Sequence, residues 1–134
     1  MVHINENQHW DWCAITGVAQ SDITPPIGVY HRNWGAAKQY TATSIHRPLE
    51  AAVIAFETDG KRGLILSLDG TWWQSQEREG NLRRDIAKSL EMDPDHVLIA
   101  LSHSHAAIPL LDCYHELPGG ELAETWMNEL PEKL

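Results

Sequence analysis

Val97-Leu98-Ile99-Ala100-Leu101-Ser102-His103-Ser104-His105-Ala106-Ala107 decides how this chain reads. An apolar run of strand length ends in two histidines separated by one serine. With the backbone extended through Ser104, side chains at i and i+2 share a face, so His103 and His105 should point together from the end of a buried strand. Two neutral imidazoles converging there supply part of a zinc site, and strand ends of α/β sheets are common places for ligands. The plainer reading is a strand-end histidine bonded to a backbone carbonyl, with its neighbour facing solvent.

Working outward from that run, the segment before it has helical period. Leu82, Ile86 and Leu90 recur every four residues between about Gln74 and Glu91, with charged residues between them, which gives one core stripe. Asp93-Pro94 ends it. Upstream, Arg62-Gly63-Leu64-Ile65-Leu66-Ser67-Leu68-Asp69 is a nearly continuous apolar strand, reached through the hairpin turn Thr58-Asp59-Gly60-Lys61 from a second strand over 49–57. Strand, helix, strand in this order predicts a parallel βαβ crossover pairing 62–69 with 96–102 as inner neighbours. The fold class expected is α/β, with a mixed sheet of about four strands and flanking helices.

The first strand is read at 14–20. Asp22-Ile23-Thr24-Pro25-Pro26 follows as a rigid corner, in which Asp22 accepts bonds from nearby backbone N–H groups and is structural rather than catalytic. Residues 29–44 read as a long loop with one helical turn at most, and 106–116 as another loop. A last amphipathic segment carries Leu122, Trp126 and Leu130 until Pro131 stops it. Residues 1–12 read as a loosely ordered terminus, with Trp10 and Trp12 as anchors.

The totals set limits. A chain of 134 residues, 43% hydrophobic and 22% charged, fits a single globular domain. A net charge of −9 argues against nucleic acid or an anionic membrane as the main partner, since both need clustered Lys and Arg. No run has the length of a membrane span, and the polar, acidic start does not look like a signal peptide, so the expected location is the cytoplasm. Cys13 and Cys113 are too few and too far apart for a disulfide framework and read as free thiols. Eight histidines invite a metal hypothesis without locating one.

Three local patterns, in order, resemble the N-terminal part of the neutral/alkaline non-lysosomal ceramidase family. They are Gly17-Val18-Ala19-Gln20-Ser21-Asp22-Ile23-Thr24-Pro25-Pro26-Ile27-Gly28, then Ile45-His46-Arg47-Pro48-Leu49, then Ser102-His103-Ser104-His105 following Leu66-Ser67-Leu68-Asp69. The resemblance covers roughly residues 14–108. Members of that family are zinc amidases that cleave the N-acyl bond of ceramide. The resemblance implies a hydrolase of lipid metabolism, with His103 a zinc ligand and His105 a catalytic neighbour that contacts substrate. Two departures stand out. This chain has Ala106-Ala107-Ile108-Pro109 where the family has Ser-Gly-Pro, and the family's remaining ligands (a second His, a Glu and a Tyr) lie beyond residue 134. The 134 residues therefore read as the front portion of a ceramidase-like catalytic domain with an incomplete zinc site.

Other residues enter as expectations. Asp69 should accept from the free ring N–H of His103 and fix its tautomer, unless it only caps a turn. His46, Arg47 and His31 are candidates to face substrate, with Trp34 beside His31 at a pocket mouth. His3, His9, His96 and His115 are taken as incidental. Three readings of function compete: zinc-dependent hydrolysis of a lipid or other amide, inactive in this chain alone; a non-catalytic fragment or association module; and a small self-contained metal site of His103, His105 and Asp69 or Asp112. Association with a second copy or with the rest of such an enzyme is the expected protein partnership. Trp72, Trp73 and Trp126 are the candidates for the apolar surface it would cover.

Overall fold

The structure, a computed structural model, describes residues 13–134; Trp10, Trp12 and the rest of the expected loose terminus lie outside the described residues. Its elements in order are β1 (Ile15–Asp22), β2 (Glu50–Thr58), β3 (Lys61–Leu68), α1 (Gln76–Ser89), β4 (Val97–Leu101) and α2 (Gly120–Lys133), with a single 3-10 turn at Pro94–His96 before β4. The strands form one four-stranded mixed sheet in the order β1-β2-β3-β4. β1 and β2 are antiparallel, as are β2 and β3, and α1 carries the chain across to lay β4 parallel to β3. The α/β class and the crossover are those expected.

Local chemistry explains each element. Asp59 and Gly60, at φ 50° and 72°, make the two-residue turn between β2 and β3, the geometry that matches strand twist. Ser75 caps α1, its Oγ accepting from Arg78 N at 3.2 Å, and Glu77 and Glu79 sit at the positive end of the helix dipole. Leu82, Ile86 and Ala87 face inward. Leu90 does not complete that stripe: it is the C-cap and is 41% exposed. Pro131 does not stop α2, which runs on to Lys133. Proline has no N–H to give the carbonyl four residues back, but this costs one bond in the last turn and the helix continues past it.

Both helices pack on one face of the sheet. There Leu64, Leu66, Leu68, Val97 and Ala51 meet Leu82, Ile86, Trp126, Met127 and Leu130 in a continuous core. Trp126 donates from Nε1 to the carbonyl of Ile23 at 2.7 Å, which ties α2 to the corner after β1. It is 2% exposed, and Trp72 and Trp73 are half-buried, so these tryptophans do not form the expected surface patch. The exposed apolar surface lies on the other face of the sheet. Val18, Ile54, Ile65 and Leu98 stand in register across all four strands, and every one is at least two-fifths exposed. β4 is therefore an edge strand of the described sheet, not an inner one. No helix of the described residues is long and apolar enough to cross a membrane.

Two stretches read as loops are well anchored. Residues 29–44 hold no helical turn; a bridge between Tyr30 and Thr41 and a hydrogen bond from Arg32 Nη1 to Tyr40 Oη at 2.8 Å close them into a finger. Ala107, Ile108, Pro109 and Leu110 are buried, and Gln74 N donates to Leu110 O at 3.0 Å, so this stretch is part of the core. Tyr114 pins it, donating to Pro109 O at 2.6 Å and accepting from Leu111 N at 3.2 Å.

Two outcomes follow for pH. Burial pushes the Tyr114 phenol up to about 12. The neutral form is thus favoured by folding, and its contribution is complete below the ordinary phenol value of about 10. It is lost as the pH rises through about 12. The difference in ultraviolet phenolate absorbance between the chain and Tyr114→Phe should show the Tyr114 phenol ionising well above its ordinary value. Tyr114→Phe should cost about 1–3 kcal/mol in denaturant unfolding, because Leu111 N and Pro109 O lose their partner. Asp22 behaves oppositely. The Thr24 hydroxyl and backbone N–H both donate to its Oδ1, at 2.5 Å and 2.8 Å, and hold its carboxyl below the usual range. Its contribution is present above about pH 4 and lost as the pH falls below it, so the stability gap to Asp22→Ala should close on acidification.

Candidate functional site

Parallel pairing puts the C-terminal ends of β3 and β4 side by side, and the two chains leave the sheet together. Ser102 N donates to Leu68 O at 3.1 Å, and Ser104 N to Gly70 O at 2.9 Å. Between these bonds His103 takes φ 56°, a left-handed conformation that histidine adopts more readily than most residues but that remains unfavourable. The extended backbone expected through Ser104 is therefore broken at His103. The two rings still meet. Ala107 N donates to Ser104 O at 3.2 Å and Ala106 N to Ser104 Oγ at 3.2 Å, and this turn brings His105 back to His103.

The ring centroids of His103 and His105 lie 5.2 Å apart, edge to face. Trp72 touches both, at 5.7 Å from each, and Trp34 closes on His105 at 5.5 Å from the opposite direction. Both histidines are exposed, and neither ring makes a hydrogen bond to another described residue. The expected bond from His103 to Asp69 is not formed: the Asp69 carboxylate accepts from Glu50 N at 3.0 Å, while Asp69 N donates to Glu50 O at 2.9 Å. Asp69 thus latches the start of β2 to the end of β3.

Below the histidines lies a polar cluster with no forewarning in the sequence. Asn33 and Thr71 are buried, at 8% and 1% exposure. Asn33 Nδ2 donates to Ala107 O and to Thr71 Oγ1, both at 2.6 Å, and Thr71 Oγ1 donates to Ser104 O at 3.0 Å. Carbonyls only accept, so the direction of every bond is set. Asn33 must offer its amide to Ala107, Thr71 must accept from Asn33, and the one hydroxyl proton is shared between Ser104 O at 3.0 Å and Ile108 O at 3.5 Å, the shorter bond being to Ser104. Asn33 and Thr71 are 38 residues apart in sequence, and neither sits in a motif.

Beside the histidine turn opens a cleft of about 510 Å³, with His31, His46, Arg47, Asp69, Ser104 and Ala106 among its lining. The three residues expected to face substrate are thus brought to one cleft. His31 is fixed there: its Nε2 lies 3.2 Å from Ala106 O and must donate to it. His46 and Arg47 are exposed at the rim. A more apolar groove of about 520 Å³ lies at the opposite end of β3, around Arg62, Leu64, Ile86 and Leu134, away from the histidines.

The two imidazoles fit part of a zinc shell. Rings sharing one tetrahedral zinc at about 2.0–2.1 Å have centroids about 5 Å apart, close to the spacing seen. The shell is not completed among the described residues, where no group of three or more His, Cys, Asp or Glu is placed to hold a metal. The self-contained site with Asp69 or Asp112 is therefore not formed. His96 and His115 are exposed and distant in the fold; His3 and His9 lie outside the described residues.

Since both histidines are exposed and touch only aromatic rings at the surface of the site, His103→Gly and His105→Ala should change unfolding free energy by less than about 1 kcal/mol. Thr71→Val, which leaves buried Ser104 O and Asn33 Nδ2 short of a partner, should cost about 1–3 kcal/mol. Denaturant titration of the three variants checks both. A large loss in the histidine variants would return them to a structural role.

No protein-family model matches the chain, and neither does any curated protein sequence. Among solved structures the chain is similar in fold to the neutral ceramidase from Pseudomonas aeruginosa, with a TM-score of 0.58 and 14% identity over 90% of this chain. The match spans 21% of the ceramidase chain, so this chain covers about a fifth of that protein's length. At this identity the likeness is one of fold: these residues adopt a ceramidase-like α/β arrangement.

Proposed function

We propose that this chain is the front portion of a zinc-dependent amide hydrolase related to the neutral ceramidases, acting on an N-acyl amide and inactive by itself. The observation that carries the reading is the pair of imidazoles, free of protein hydrogen bonds, held together at the end of β4 in a ceramidase-like fold. His103 is the zinc ligand, and the remaining ligands come from polypeptide outside these residues. When bound, the metal supplies an activated water and a polarised carbonyl.

The chain's own residues do the rest. His105 donates its ring N–H to the oxygen of the attacked carbonyl, where charge develops in the transition state. His31, held on Ala106 O, and His46 and Arg47 at the rim orient the substrate along the cleft beside the turn. Trp34 and Trp72 flank the imidazoles and limit water around them. A lipid amide fits the resemblance of the sequence to the ceramidase family, and the wide cleft has room for a chain or head group.

A second reading, an association module without catalysis, is favoured by the open sheet face. Its rows Thr16–Phe56–Gly63, Val18–Ile54–Ile65–Leu98 and Gln20–Ala52–Ser67–Ala100 carry no charge. Such a surface suits burial against another protein layer.

Calorimetric zinc titration separates the readings. The chain alone should bind zinc weakly, and His103→Ala should remove what binding there is, because two imidazoles do not complete a four-coordinate shell. Supplying the remaining polypeptide of the enzyme should restore tight binding and amidase activity, and His105→Ala should then lower kcat by about 10²–10³-fold. Tight one-to-one binding by the chain alone would contradict the fragment reading. Assembly without amidase activity or zinc, blocked by Ile54→Lys, would establish the association module.

A further inference from the structure

The residue between the two histidines is bound on every polar atom of its backbone and side chain. Ser104 N donates to Gly70 O, Ser104 O accepts from Ala107 N and from the Thr71 hydroxyl, and Ser104 Oγ accepts from Ala106 N. Three of these bonds are local to the turn or continue the pairing of the two chains leaving the sheet. The fourth, from Thr71, comes from beneath, and behind it Asn33 reaches from the finger after β1 to grip both Thr71 and Ala107. We propose that Asn33 and Thr71 are positioning residues for the metal site: Asn33 donates to Ala107 O and to Thr71, Thr71 donates on to Ser104 O, and this buried brace sets the distance between the His103 and His105 rings.

The physical argument is one of satisfied directions. His103 holds an unfavourable left-handed φ of 56°, so the turn is not the lowest-energy path for its own sequence and needs an outside hold. The brace supplies one. It is dry, since both side chains are buried, and hydrogen bonds in such a place are strong and their loss expensive. Its Asn33 end is fixed in direction, since a reversed amide would set Oδ1 against the Ala107 carbonyl, and the Thr71 hydroxyl lies closer to Ser104 O, at 3.0 Å, than to Ile108 O, at 3.5 Å. One element is unbalanced: Asn33 Oδ1 is buried with no hydrogen-bond partner among the described residues. The amide keeps this orientation because turning it would place Oδ1 against the Ala107 carbonyl and draw the Thr71 proton away from Ser104 O. An arrangement that leaves an acceptor unsatisfied to keep two donors in place is one in which the donors matter more. Trp72, next to Thr71 in the chain, packs on both imidazoles, so the same short segment fixes the turn from below and the rings from the side.

This rests on the zinc reading for its consequence but not for its geometry, and the test has a readout for each. Thr71→Val keeps the shape and removes the brace; Thr71→Ser keeps the hydroxyl. The first readout is histidine ring NMR of the metal-free chain, in which Trp72 shifts the His103 and His105 signals by its ring current. Thr71→Val should move both signals toward free-imidazole positions, and Thr71→Ser should return them. The second is cobalt titration of the chain assembled with the rest of the enzyme, read by the visible spectrum of the bound ion. Thr71→Val should weaken affinity by about tenfold or more, the range for partners that orient ligands, with recovery in Thr71→Ser. Fluorescence of Trp126, buried on α2 and bonded to Ile23 O, serves as a folding control away from the turn. If Thr71→Val does not fold, Thr71→Ala replaces it. Unmoved ring signals in Thr71→Val would overturn the brace. Moved signals with no cobalt binding in the parent would leave the brace standing and remove the metal reading instead.

Discussion

The parallel pairing of β3 with β4 is the constraint on which the rest depends. It requires α1 to cross the sheet, and α1 buries Leu82 and Ile86 over Leu64 and Leu66 only if the crossing is made. Having forced the crossing, the pairing delivers both strands to the same end of the sheet, where Gly70-Thr71-Trp72 and Ser102-His103-Ser104 must run side by side. Ser102 N and Ser104 N extend the ladder onto Leu68 O and Gly70 O. Every later feature of the site is built on that shared exit: the imidazole pair, its tryptophan walls, and the cleft reached by His46 and Arg47.

Core and site are therefore held by different forces. The core is apolar and lies on the helix side of the sheet, with Trp126 anchoring α2 through one directed bond and Tyr114 the buried 107–110 stretch through two. The site is polar, exposed and held by hydrogen bonds to backbone. The open sheet face belongs to neither. Its uncharged rows have no cover among the described residues, and a larger assembly built on this fold has an obvious surface to build on.

Most of the architecture was legible because it rests on local signals. Asp59-Gly60 announces the hairpin, Leu82 and Ile86 the helix, and the apolar runs either side of it the parallel pair. Errors arose where tertiary context decides. Leu90 fits the helical period but falls on the cap, and Pro131 takes one bond from the last turn of α2 without ending it. β4 is apolar enough for an inner strand yet lies at an edge. The histidine pair was legible as a pair although its stated cause was not the operative one. Period-two alternation fails at His103, and the turn around Ser104 restores the convergence. Asn33 and Thr71 were invisible, since their roles come from contacts 38 and 74 residues apart in the chain. Asp69 was correctly placed near the site by topology, but its carboxylate is engaged by the β2 backbone, a choice that only the register of β2 against β3 settles.

The measurement that bears most directly on the central claim is anomalous diffraction at the zinc edge from crystals of the chain assembled with the rest of the enzyme. The account predicts one metal ion bonded to a ring nitrogen of His103 at about 2.0–2.1 Å, with His105 facing the open coordination position and Ser104 still gripped by Thr71. A metal ion held elsewhere, with the His103 ring turned away to solvent, would contradict it.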